Sequence, residues 1–520
     1  MGAPLLTSAQ SELAVTPGAG TLNEAIANDT DRPDDRVYVL ERGGVYPLTD
    51  VVSNDGFVLR IKAADGDGVR PVIYPGQTDS GSLGSRFFEL LDDTYLTGVY
   101  VLGVAESGDQ KGMAFDLSGE GMRFVADSCV FEGGNSRYFE VNAANTRITI
   151  QNSQVRNLVR PDNLSNGRAI DYRDVPGDSL FIQNTSFLNV TGFVVRFGTG
   201  ATSTALEHFI FDHNTVHTTS NDLTDSGVGR RAVEYTVTNN LFVNVNGPGE
   251  SPSDNPDGIL QVAEFDGSGF VEADRSIRIA YNGMFTSQEV LDYYQSRADA
   301  GDPIVPLQLI QPSSQEFIDG SAQATAEGNL TDPVDFQAPP RLDSYVAFLP
   351  VERDGTGDPP FWAFGTDDDL FPVEQPLPED LSYAETDVAY TAAEKGFPLG
   401  DLNWFPTLKA LFDTGAFAVS SDGQPEDGRA VALLGTYPNP SAGDVTVVLA
   451  LGASAEVSVE VIDLLGRVVS ATPSQTVAAG DRQPVSLDVS DLSAGVYLAR
   501  VTVASEGSHW SESQRITVAR

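Results

Sequence analysis

The chain has 520 residues, enough for two to four domains, and carries 74 acidic against 31 basic side chains, a formal charge of −43. Only four of the bases are lysines (Lys62, Lys111, Lys395 and Lys409), and so acidic a surface argues against a nucleic-acid partner, whose phosphates need a basic stripe. The single cysteine, Cys129, rules out a disulfide within the chain, and the absence of any run of 18 apolar residues predicts no membrane-spanning helix.

An acid excess with almost no lysine predicts a protein suited to high salt. There the Debye length falls to about 3 Å at 1 M and self-repulsion is screened. The opening Met1-Gly-Ala-Pro-Leu-Leu6 has neither a charged n-region nor a long apolar stretch, so an export leader is expected to have been trimmed from it. Gly20-Thr-Leu-Asn-Glu-Ala-Ile26 reads as a short helix with Thr21 or Asn23 near its cap. Strand patterns follow at Arg36-Val-Tyr-Val-Leu40 and Gly43-Gly-Val-Tyr46.

The centre repeats. Five segments share alternating apolar residues followed by Asp, Asn or His: Met122–Asp127, Ile148–Asn152, Leu180–Asn184, Phe209–His213 and Tyr235–Asn239. Their last residues lie 25, 32, 29 and 26 positions apart. Tyr95–Gly98 fits as an earlier copy and Ile277–Tyr281 as a later one. Each unit holds two or three short strands rich in Val, Ile, Phe and Thr, with turn residues between and no helical periodicity. That is one coil of a right-handed parallel β-helix, whose stacked coils bury one core and align corner residues into ladders. Asn at such a corner tolerates the left-handed backbone. A Greek-key sandwich is the competing fold, but it has no reason to keep a period near 28. The helical lead-in and the repeats resemble pectate-lyase-like β-helix proteins, in which a helix plugs the open end of the first coil.

A second column runs through the same coils. Phe87-Phe-Glu-Leu90, Ala114-Phe-Asp-Leu117, Tyr138-Phe-Glu-Val141, Ala169-Ile-Asp-Tyr172 and Val194-Val-Arg-Phe197 align as one strand position. If Phe88, Phe115, Phe139, Ile170 and Val195 point inward, alternation turns Glu89, Asp116, Glu140, Asp171 and Arg196 outward. Asn142 and Arg173 lie two residues on. By the same count Tyr138 points out and Tyr172 in. With strands about 4.8 Å apart, four carboxylates form a vertical row ending in arginines. Such a row could hold Ca²⁺, which takes several oxygen ligands, or could be solvated surface. A calcium ion beside arginine on a β-helix resembles polysaccharide lyases acting on acidic glycans. The resemblance implies Asp116, Glu140 and Asp171 as metal ligands. It implies Arg173 and Arg196 as the base and the carboxylate clamp, in either order. Arg230 and Arg231 are candidates to hold an anionic sugar, and Tyr138 to stack on one. His208, His213 and His217 are close in sequence but face different ways, and His213 sits in the corner column.

After Phe285 the repeat stops. Ser287–Tyr294 suggests an amphipathic helix, and about 300 to 380 is rich in Pro, Asp and Gly. The chain is expected to divide into a capped β-helix (1–285), an irregular region packing on it or capping it (286–418), a polar linker (419–430) and a small β-sandwich (431–520). In the last, Val457-Ser-Val-Glu-Val461 alternates strictly. Leu434-Gly-Thr-Tyr-Pro-Asn-Pro-Ser441, Val461-Ile-Asp-Leu-Leu-Gly-Arg-Val468 and Leu492-Ser-Ala-Gly-Val-Tyr-Leu-Ala-Arg-Val501 occur in that order. They resemble the type A C-terminal sorting domain of the type IX secretion system. That resemblance implies handling by the type IX machinery, delivery to the outer cell surface or the medium, and removal of the domain on export. The function expected is binding, and with calcium cleavage, of an acidic polysaccharide by β-elimination. The alternative is a non-enzymatic adhesin, matrix or fibre protein, able to self-associate.

Overall fold

In the computed structural model the described residues are 11–520 except 79–80, 83–85, 109, 161–162, 164–165, 199–203, 253–257, 355–374, 415–430, 438–440, 442, 452–453, 463–466, 479, 491, 494, 506–507 and 519–520. The expected linker 419–430 and the opening six residues lie outside them. The chain divides into two compact units: residues 1–393 with 398–404, and 394–397 with 405–520.

The first unit is a parallel β-helix. Among the described residues its three large parallel sheets have eleven, nine and six strands, and the inner coils each add a strand to two or three of them. The first sheet runs from Glu12–Val15 to Ala324–Glu327, the second from Val45–Leu48 to Gly283–Phe285, and the third from Val52–Ser53 to Val195–Phe197. The repeat therefore outlasts Phe285, because Ala324–Glu327 pairs in register with Ser276–Ala280 and closes the first sheet. The insertion between those two strands, rich in polar and turn residues, hid this last rung.

The corner column is where the sequence places it. Gly98, Asn152, Asn184, His213, Asn239 and Tyr281 all have φ between 48° and 68°. In the Met122–Asp127 segment the left-handed residue is Ser128, one past Asp127. The side-chain ladder sits one residue further on and inside the coils. Asn214 donates through Nδ2 to Asn240 Oδ1 (3.2 Å), Asn240 to Asn282 (2.9 Å) and Asn282 to Asn329 (3.1 Å). Asn214, Asn240 and Asn282 are fully buried, and their amides also bond backbone carbonyls, so no polar atom of theirs is left dry and unpaired.

Helix α1 (Thr21–Asn28) buries Leu22 and Ile26 in the main core at the first coil. It covers core that an open coil end would expose. Its cap is Gly20 in the left-handed conformation (φ 73°). Thr21 Oγ1 instead bonds Gly18 O, and Asn23 ties the helix to Thr49 and Asp50.

Helix α2 (Ser226–Arg231) falls within the span of the coils, and α3 (Gln288–Asp299), α4 (Pro312–Gly320) and α5 (Asp343–Asp354) follow the last second-sheet strand; all four belong to the first unit. Helix α4 adds Ile318 to the main core, while α3 and α5 pack on the outside of the second sheet. Val290, Tyr293 and Tyr294 of α3 meet Tyr345, Phe348 and Leu349 of α5 over Val159. Tyr345 donates its hydroxyl to Thr219 O at 2.7 Å. A strap then runs along the second sheet. Gln375 exchanges two hydrogen bonds with the Arg70 backbone, and Glu379 meets Arg156. Gly400–Trp404 locks onto three coils: Gly400 N donates to Asn239 O, Asp401 N to Thr215 Oγ1, and Asp401 Oδ2 accepts from Ser186 Oγ at 2.7 Å.

In the second unit, two antiparallel sheets face each other across one apolar core. One contains Val431–Tyr437, Asp444–Leu451 and Gly480–Asp488; the other is built on Ala455–Ile462, Gly495–Ser505 and Ser508–Val518. Ala455–Ile462 alternates buried and open residues over its whole length, and Val457, Val459 and Val461 enter the core with Val445, Val447 and Val501. This is the expected small β-sandwich.

Candidate functional site: an arginine-covered carboxylate row

The third sheet reproduces the aligned column residue for residue. Glu89 pairs with Asp116, Asp116 with Glu140, Glu140 with Asp171 and Asp171 with Arg196. Beneath it, Phe88, Phe115 and Phe139 stack with centroids 4.7 and 5.0 Å apart, and Ile170 and Val195 continue the inward column. Each such buried side chain contributes roughly 1.5–3 kcal/mol. This aromatic stack sets the register, because a slip of one residue would turn the charges into the core. A bridge from Val195 to Thr224 carries the sheet one rung further and puts Asp225 after Arg196.

The carboxylates are not at the surface. Asp116, Glu140 and Asp171 are 4 %, 6 % and 0 % exposed, because arginines lie over them. Arg86 reaches Glu89 (2.7 Å) and Asp116, and Arg137 reaches Glu140 (2.7 Å). Arg173 spans Glu140 (3.4 Å) and Asp171 (3.2 Å), while Arg168 and Arg196 close on Asp171 at 2.7 and 3.4 Å. Ser118 and Asn142 donate to the other oxygen of Asp116 at 2.6 and 2.8 Å. The guanidinium layer is the accessible one: the side chains of Arg86, Arg137 and Arg173 are 40 %, 32 % and 33 % exposed. A row of acids has become the inner layer of a cationic strip on a strongly acidic protein.

Three of these arginines escaped the alignment. Arg86, Arg137 and Arg168 each stand three residues before the acid they bind, in Arg86-Phe-Phe-Glu89, Arg137-Tyr-Phe-Glu140 and Arg168-Ala-Ile-Asp171. The recurring Arg-x-x-acid spacing was the available signal. At Asp116 the equivalent position is Met113, and Arg86 from the preceding coil serves instead.

Asp116, Glu140 and Asp171 are thus brought together, but not as a calcium centre. Ca²⁺ takes about six to eight oxygens at roughly 2.3–2.6 Å. Here the oxygens are engaged by guanidinium, hydroxyl and amide donors. Among the described residues no three Asp, Glu, His or Cys side chains converge on a point where an ion could sit. The donor set does not fit the ion.

Tyr138 requires a correction. It is 2 % exposed, lies in the main core, and donates its hydroxyl to Val101 O at 2.6 Å. Strict alternation fails at this corner, where Phe87, Ala114, Tyr138, Ala169 and Val194 are all buried beside an inward neighbour. No sugar can stack on Tyr138. Tyr172 is buried as expected.

Arg230 and Arg231, in the last turn of α2, share Asp266 at 2.7 and 3.1 Å and do not contact the row's acids. Arg231 is buried, and its Nη1 has no hydrogen-bond partner. Burial pushes the Asp225 carboxyl up to about 6, against the opposing pull of the Phe197 N–H, Arg196 and Arg231. The histidines separate as expected: His208 pairs with Glu234, His213 with Asp212, and His217 is buried on the second sheet.

Residues 435–516 match the family of the secretion system C-terminal sorting domain. The end of the chain is such a domain, of the type IX system, and the protein is a secreted or cell-surface one. No helix among the described residues is long and apolar enough to cross a membrane. No curated protein matches the chain. Among solved structures, the crystal structure of pectate lyase Pel9A aligns over 76 % of this chain and 97 % of that one, with 14 % identity and a TM-score of 0.33.

Proposed function

We propose that this protein binds an acidic polysaccharide outside the cell along the arginine-covered strip of the third sheet. The observation that carries the reading is the layering itself. Arg86, Arg137 and Arg173 are held in place from below by buried carboxylates and keep part of each guanidinium facing solvent. Five donors in a rigid fork suit the carboxylate or sulfate groups of such a polymer. Pre-positioning lowers the ordering cost that each contact would otherwise carry. The overall charge of −43 makes the strip selective, since elsewhere an anionic polymer is repelled. High salt weakens long-range repulsion and leaves short, paired contacts in force.

Binding is favoured over β-elimination. A guanidinium does not give up its proton in proteins, so Arg173 and Arg196, both against Asp171, act as cations and donors rather than as a base. Calcium is not part of the reading. The test is retention on immobilised polygalacturonate, alginate and chondroitin sulfate, with and without EDTA. Retention of one polymer, weakened at least tenfold by Arg137→Gln with Arg173→Gln and unaffected by EDTA, is expected. Loss of retention in EDTA would restore the metal. Near-ultraviolet absorbance from unsaturated products would make the strip a lyase site. No retention of any polymer would leave the scaffold or adhesin alternative.

A further inference from the structure

On the outer face of the second sheet, on coils that Gly400–Trp404 also reaches, the side chains of His217, Val243 and Phe285 follow one another on paired strands. They form the floor of a cleft of about 1230 Å³. Its walls come from α3, from Pro306–Ile310, from α4 and from the 329–342 segment. The wall residues are mainly apolar, with Met284, Leu307, Val334 and Phe336 buried there. Leu291 of α3 lines it while remaining 38 % exposed.

The charge around this cleft is one-sided. Glu289, Glu316, Asp319 and Asp335 line it and are exposed, and among the described residues no lysine or arginine does. The one titratable group on the floor, His217, is held uncharged, since burial pushes its imidazole down to about 3. Concave, mostly apolar sites with a few placed polar groups are where small ligands bind. An anionic sugar polymer suits neither the apolar walls nor the acidic mouth, so this cleft serves something other than the strip.

We propose that the cleft binds a small amphiphilic amine, its apolar body against Leu307, Val334 and Phe336 and its cationic end at the carboxylates of the mouth. Complementarity of charge selects this occupant over fatty acids and other anionic amphiphiles, which the same four acids repel.

The test is calorimetric titration of the full chain with dodecyltrimethylammonium and with dodecyl sulfate, both below their micellar concentrations. One-to-one binding of the cation, at least tenfold tighter than any one-to-one binding of the anion, is expected. Leu291→Arg, at a half-exposed site, should weaken the cation at least tenfold with thermal unfolding unchanged. Glu289→Gln with Glu316→Gln should narrow the preference between the two probes. Equal affinity for both probes, no saturable binding of the cation, or binding indifferent to Leu291→Arg would each overturn the proposal. A dimer in sedimentation that Leu291→Arg dissociates would also overturn it, assigning the cleft to a second copy of the chain.

Discussion

Two arginine–carboxylate assemblies stand on different faces of the same β-helix, and they end differently. On the second sheet, Arg156 lies between Glu132 (3.1 Å) and Glu379 (2.6 Å), with all three side chains only 6–9 % exposed beneath the strap. On the third sheet, the same residue types stack over five rungs, and Arg86, Arg137 and Arg173 stay partly open. The first assembly is closed by Glu379, which returns from 223 positions further along the chain; the second has no such cover among the described residues. An ion network that its own chain seals holds the fold, whereas one left open on the cationic side is available to an outside anion.

The sharpest way to break this contrast is Arg156→Met. It strands two buried carboxylates, and about 3–5 kcal/mol of stability should go; denaturant midpoints measure it. If Arg137→Gln costs as much, the strip is structural too and the distinction fails. Next in size is Asn240→Ala, which removes the acceptor of Asn214 and leaves buried amide groups unpaired, for about 1–3 kcal/mol by the same measurement. Arg137→Gln and Arg173→Gln remove guanidiniums that are one-third exposed, and the buried carboxylates beneath each keep another arginine, so each should cost less than about 1 kcal/mol of stability. Their effect belongs in polymer affinity. A separate signal is a pH slope. Asp225 has its carboxyl raised from the usual 3.8 to about 6, so its contribution to stability is full below about 4 and lost as pH rises through about 6. Asp225→Asn should flatten unfolding stability across that window; an unchanged slope assigns the pH dependence elsewhere.

Much of the third sheet was legible because two periodicities agree there. A strand alternation of two and a coil period near 28 together fix Glu89, Asp116, Glu140, Asp171 and Arg196 on one outward line. The misses are local in origin. Tyr138 was misplaced because a corner turns two successive residues inward. The asparagine ladder was read one residue early because the left-handed residue and the stacked one are neighbours. The metal reading counted outward acids but not the arginines three positions before them. Glu379 on Arg156, and the cleft over His217, depend on chain that returns without periodicity, so no spacing announces them.

The five residues Gly400–Trp404 carry one more implication. Their bonds to Asn184, Ser186, Thr215 and Asn239 are complete within the first unit. A protease that cuts anywhere downstream of Trp404 leaves every one of them intact. Such a cut would leave the coils latched, because along the chain the closing clasp comes before the sorting domain.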